Sequence, residues 1–171
     1  MIYFVTESYL KNNTPITANV DVTDIMPYVR TQAEMRLMSI LGTYFYKDML
    51  TKYNAQTLNA NETTLVEYIQ PVVAWRSAED AVFSLSYQLK NKGIQVQFGD
   101  YSQNVSQSEI AFNMDHYGQK GAWFENRLTF WLLDNKALFP EFLSTQNNDS
   151  DIKPSDDCDD SDSYNNTILV L

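Results

Sequence analysis

A chain of 171 residues is the size of one domain, and with 44% apolar and 13% aromatic side chains it can bury a core without disulfides or metals. Only 20% of its residues are charged, yet the net charge is -10, and the excess is concentrated: -4 over residues 1–143 and -6 over 144–171, where seven Asp face Lys153 alone. That balance argues against a protein that grips nucleic acid through clustered Lys and Arg, and a lone Cys158 excludes an intrachain disulfide framework or a Cys-rich zinc site.

The opening Ile2-Tyr3-Phe4-Val5 is β-branched or aromatic and reads as a short strand without a basic leader before it. No apolar run approaches the roughly 18–20 residues of a membrane span, so a soluble product made inside a cell is expected. Thr6 caps one helical turn, Glu7 to Lys11, which Asn12-Asn13-Thr14-Pro15 stops; residues 16–20 connect. A helix starts at Asp21 or Thr23, both N-cap types, and carries Ile25, Val29, Ala33, Arg36/Leu37 and Ile40 to Gly42, a good C′ residue. A shorter helix over 43–53 is anchored by Tyr44, Phe45, Met49 and Tyr53, before a polar loop from Asn54 to Asn61.

The third helix is predicted from after Asn61 to about Asn91, with Pro71 inside it and Gly93 as its cap. Ile94, Val96 and Phe98 alternate with Gln95 and Gln97, the period of a strand, and a Ser/Asn/Gln-rich exposed loop over 99–108 follows. The fourth helix opens on a capping box, Ser106-Gln107-Ser108-Glu109. Ile110, Met114, Tyr117, Gly121, Phe124, Leu128 and Trp131 then form a near-heptad seam suited to packing on another long helix. Trp123 and Phe130 widen that apolar face toward a partner, and Gly118 and Gly121 fit a close backbone approach. The helix ends by Asn135, and Phe139-Pro140-Glu141-Phe142 closes the domain. The fold expected is all-α: a helical bundle on two long antiparallel helices, a strand/loop arm between them, and an extended acidic tail over 144–171.

Chemistry-bearing motifs are scarce. An EF-hand loop started at Asp157 puts Asp162 where Gly is needed and Ile168 where Glu is needed. His116 is the sole histidine and reads as a surface or interface residue; Cys158 lies among Asp residues that suppress its thiolate. Glu79-Asp80 with Arg76 one turn away reads as a salt bridge. There is no GxGxxG, P-loop, HExxH, CxxC or GxSxG. No catalytic, cofactor or metal residue is assigned. The tail has three readings: a solubilising segment, a nucleic-acid mimic, or a tether whose terminal Ile168-Leu169-Val170-Leu171 adds to a neighbour.

Phe4 to Lys11, Asp21 and Ile25 with Tyr28-Val29-Arg30, and Ile40-Leu41-Gly42-Thr43 together resemble the N-terminal half of phage head–tail connector proteins, the group found in phages and prophages of Bacteroidetes including crAss-like phages. Tyr68-Ile69-Gln70-Pro71 with Trp75, Lys90-Asn91-Lys92-Gly93, Tyr117…Arg127-Leu128…Leu132 and Phe139-Pro140-Glu141-Phe142 extend the resemblance over residues 2–142. The Asp-rich tail has no counterpart in that pattern. The resemblance implies a structural virion protein at the capsid–tail junction, made in the host cytoplasm and assembled as a ring, normally twelve-fold, beneath the portal protein. Such a ring docks neighbouring ring or tail proteins and extends a channel through which DNA passes without sequence-specific binding; no enzyme activity and no membrane come with it. Partner-binding residues are expected on the arm (Ile94, Val96, Phe98), on the fourth helix (Trp123, Phe130) and at the C-terminus (Ile168, Leu169, Val170, Leu171). Two rival readings stand beside it: an acidic monomeric or dimeric DNA mimic or host-protein binder, and a small enzyme with a pocket of perturbed carboxylates near Glu79 or Asp115.

Overall fold

The computed structural model describes residues 2–16, 20–90, 93–96 and 106–154. They are mostly helical: α1 (Glu7–Asn13), α2 (Val22–Gln32), α3 (Met38–Leu41), α4 (Thr43–Ala55), α5 (Ala60–Ser86), α6 (Gln107–Asp134) and α7 (Thr145–Asn148). A π turn over Ala33–Leu37 joins α2 to α3, and a 3-10 turn over Lys136–Leu138 follows α6. Tyr87–Lys90 (β1) and Gly93–Val96 (β2) pair antiparallel, Tyr87 opposite Val96 and Lys90 opposite Gly93.

The local caps form where the residue types call for them. The Thr6 hydroxyl accepts from the Tyr9 amide, and the Asp21 carboxylate from the Thr23 amide. Ser106 and Glu109 close a reciprocal capping box at the start of α6. Asn59, not Asn61, opens α5: its side chain accepts from the Glu62 amide at 2.9 Å while Glu62 accepts from the Asn59 amide at 2.8 Å.

Four further expectations change. Residues 2–5 are not a strand. Phe4 takes a positive φ of 63° and both Phe4 and Val5 are buried, whereas an extended run would turn one of them outward. With no strand to pair with, the backbone there bonds to side chains: Asn54 grips the amide and carbonyl of Ile2, and Gln70 donates to the Phe4 carbonyl at 2.9 Å. The third helix stops at Ser86 rather than Asn91, and Gly93 begins β2 instead of capping a helix; Tyr87-Gln88-Leu89-Lys90 alternates as a strand does, and the ladder with β2 gives its backbone partners. Tyr44 is exposed and Tyr46 takes the core place beside Phe45, Met49 and Leu50. Finally, residues 144–154, counted with the tail by composition, lie on the helical body, as the Asn147 contacts below show.

Packing explains the π turn. Ile25, Val29, Ala33, Leu37 and Leu41 are all buried at strict four-residue spacing. In an α-helix of 3.6 residues per turn such a stripe drifts by about 40° per step. A π turn uses more residues per turn and brings Leu37 and Leu41 back over the core. Gly42 then turns the chain into α4 with φ 79° and ψ 152°. Asn147, fully buried, fills the space that Gly42 leaves: a Cβ there would run into its amide. The Asn147 side chain accepts from the Phe45 amide at 3.1 Å and donates to the carbonyls of Leu41 at 2.8 Å and Phe142 at 3.0 Å. Beyond it the Thr43 amide donates to the Ile152 carbonyl at 3.0 Å.

α5 and α6 share the most extensive helix–helix contact, and their pairs run in opposite senses: Tyr68 meets Trp131, Arg76 meets Glu125, and Glu79 meets Gly118. On the α6 seam Ile110, Gly121 and Leu128 are buried, with Leu132 beside them; Tyr117, Phe124 and Trp131 pack half-buried on the core.

Candidate functional site

The chemistry of α6 divides by face. Its inward glycines make room for side chains rather than for a backbone. A Cβ at Gly121 would lie 2.7 Å from Arg76 Cδ, and one at Gly118 would lie 2.8 Å from Glu79 Oε1. Arg76, nearly buried, occupies that space. Its Nε and Nη2 donate to the two Glu125 oxygens at 2.8 and 2.6 Å, and Nη1 donates to Glu79 at 2.8 Å. Arg36, brought round by the π turn, stands 3.6 Å from Glu125, and Gln32 joins Arg36 to Asp80. The Arg76–Glu79 pair matches the sequence reading; Glu125 is the partner that local spacing does not reveal, because it lies 49 residues away. The fork–fork bonds to Glu125 hold the guanidinium charged far above any accessible pH, against the opposing effect of burial. Glu79 and Asp80 are thus tied up in helix packing.

The outward face carries aromatic rings. Trp123 is 59% exposed, Phe130 63% and Phe112 71%. Each follows a seam residue (Gly121, Leu128, Ile110) by two positions, which on a helix is about 200° of rotation. Trp123 and Phe130 therefore do not widen the core stripe; they form a second stripe pointing away from it. Phe112 belongs to the same stripe, and the plus-two offset from each seam residue is the signal that would have found it. His116 is exposed there too, its ring parallel to that of Phe112 at 6.3 Å.

Between the two stripes, on the side facing α5, stand two cations seven residues apart. Lys120 Nζ sits 4.3 Å over the Trp75 ring. The Arg127 guanidinium lies 4.5 Å over the Tyr68 ring and 5.8 Å from that of Trp123. Tyr68 is itself stacked on Trp131 at 4.5 Å. Among the described residues neither cation makes a salt bridge, whereas Lys11, Arg30, Arg36, Lys52 and Arg76 all do. The rings hold the two charges in place without neutralising them.

Of the other expected partner-binding residues, Ile94 and Val96 lie in the backbone ladder of β2, and Phe98 with Ile168, Leu169, Val170 and Leu171 falls outside the described residues. A cavity of about 210 Å³ lies among Pro15, Ile16, Val20, Ala78, Ala81, Val82 and Tyr117, with no carboxylate in its lining. Among the described residues no group of His, Cys, Asp or Glu is placed to hold a metal ion, and no helix is long and apolar enough to cross a membrane.

Residues 37–152 match the model of a family of unknown function, DUF6712. The chain belongs to DUF6712. No curated protein and no solved structure gives a match. The DUF6712 span begins at the last residue of the π turn and ends at Ile152, whose carbonyl meets Thr43. It therefore takes in the Asn147 clamp, the Arg76–Glu125 pair and both faces of α6.

Proposed function

We propose that this DUF6712 chain is a structural subunit of a head–tail connector: a ring beneath the portal of a tailed phage, joining capsid to tail and extending the DNA channel. The observation that carries the assembly is the outward stripe of α6. Three large aromatic side chains, more than half exposed and in line along one helix, leave an apolar surface of the kind that marks a protein–protein contact. The resemblance of residues 2–142 to connector proteins supplies the place of that contact, the portal-proximal ring of the virion.

The mechanism is mechanical rather than chemical. The long α5 and α6, running antiparallel and locked by Arg76, form a stiff plate with one face in its own core and one outside. A plate whose outer face packs on a different face of its neighbour makes a heterologous contact, and such contacts close into a ring when the rotation fits. The strand pair after α5 then lies at the ring's edge, available to portal or tail proteins. A net charge of -10 suits a channel through which DNA must slide, since like charge prevents phosphate binding.

The experiment is the particle mass of the purified chain, followed by electron microscopy with its portal protein. A closed ring of many copies seated on the portal supports the reading. A monomer that binds a basic host protein instead overturns it in favour of the acidic mimic.

A further inference from the structure

The outward face of α6 carries two cations, Lys120 and Arg127, with exposed Asp115 and Asp134 toward its ends, and the chain carries a segment that fits the cations. We propose that this face, formed by Tyr68, Trp75, Lys120, Trp123, Arg127 and Phe130, receives the C-terminal segment 155–171 of a second copy of the same chain.

Charge and spacing carry the argument. Both cations are oriented by aromatic rings and lack a carboxylate among the described residues, so the face offers two fixed positive points beside apolar rings. Seven residues of α-helix put them about 10 Å apart. An extended chain covers that distance in about three residues. Segment 155–171 holds Asp156, Asp157, Asp159, Asp160 and Asp162, in which 156/159, 157/160 and 159/162 are each three apart. The same segment ends in Ile168-Leu169-Val170-Leu171, apolar residues to cover the Trp123–Phe130 end of the stripe. Along α6 the face runs Lys120, Trp123, Arg127, Phe130, so an acidic stretch laid across the two cations leaves Phe130 beyond them for the apolar residues that follow.

The segment is long enough to cover the stripe. The chain is pinned at Ile152 against the start of α4, and the 17 residues after Pro154 span up to about 55 Å. Phe112 to Phe130 along α6 is only about 27 Å. A second copy as the occupant rests on the ring reading above: an exchanged tail gives each subunit one face filled and one tail given, a directional contact that closes without a free end.

The test uses full-length chains and charge swapping. K120E/R127E reverses the face; D156K/D157K/D159K/D160K/D162K reverses the tail. Lys120 and Arg127 lie outside the core, and circular dichroism checks for every variant that helix content is kept. Each variant alone is expected to raise the concentration for half-assembly at least about tenfold, read by light scattering at low salt. Mixed one to one, the two are expected to regain wild-type assembly in alternation, because each tail then meets an opposite face. Rings from either variant at wild-type concentration overturn this proposal and leave the connector reading standing. A wild-type chain that stays monomeric overturns both. Rescue only when both changes are put in one chain, and not in the mixture, overturns the exchange by placing the tail on its own face.

Discussion

Asn147 shows how much one side chain in a short turn can hold. It satisfies one amide and two carbonyls at the junction of α3, α4 and the segment after α6, all of them away from water. Replacing it by Ala leaves those three groups buried and unpaired, each costing about 1–3 kcal/mol. Asn147→Ala is therefore expected to lower stability by about 3 kcal/mol or more, seen as a drop in the urea midpoint at constant m. Gly42→Ala attacks the same junction from the other side, through a φ of 79° and a Cβ that meets Asn147. Arg76 is the other buried anchor. Arg76→Met removes the charge that Glu79 and Glu125 share and leaves two carboxylates facing a half-buried space, so a loss of about 3–5 kcal/mol is expected in the same measurement. Arg76→Lys recovers little of it, because a lysine cannot make the two-pronged bond to Glu125.

At the scale of elements, most helix ends were readable, whereas the Gly93 cap and the long-range supports were not. Thr6, Asp21, Ser106 with Glu109, and Asn135 all stand at helix ends where their types predict, because a cap needs only the next three or four residues. Phe4 answers to Gln70, 66 residues away, and the π turn to a whole buried stripe, which no short window contains; the start of β1 pairs with Val96, within reach of a window, but the sequence there reads as the end of the preceding helix. The capping box also makes α6 sensitive to acid. Bonds from the Ser106 amide and hydroxyl hold the Glu109 carboxyl below its ordinary value. A depressed folded-state pKa means its contribution is complete above the unfolded value of about 4.3 and is lost as pH falls through the lower folded value. The protection of amides at the first turn of α6, measured against their intrinsic exchange rate, is accordingly expected to fall as pH drops through the carboxylate range. Glu109→Gln, which keeps an acceptor but has no proton to gain, removes that pH dependence. Element boundaries can be tested by truncation: ending the chain after Pro154 keeps the Asn147 clamp and should leave the melting temperature of the helical body near its full-length value. Ending it after Leu143 removes the clamp and should lower that temperature by several degrees, which a composition-based boundary at 143 does not anticipate.

For the whole molecule, the two faces of α6 are where stability and assembly separate. Core-seam residues such as Leu128 and Leu132 are buried, so changes there act on folding. Trp123 and Phe130 touch solvent over more than half of their surface, so removing them costs the monomer little. A substitution pair can therefore be chosen that spares the fold and strikes only the contact. Trp123→Glu with Phe130→Glu places two charges on the stripe where a neighbour's apolar surface must sit, and burying an unpaired carboxylate is far costlier than losing the ring. The expectation is a folded chain with wild-type helix content and a melting temperature within a few degrees, yet a mass in solution of one copy. Leu128→Ala supplies the opposite signature: about 2–5 kcal/mol lost from the fold, with assembly intact wherever the chain is still folded. If the double Glu variant still forms rings of unchanged size, the outward stripe faces solvent or a different protein, and the ring contact must lie elsewhere on the plate.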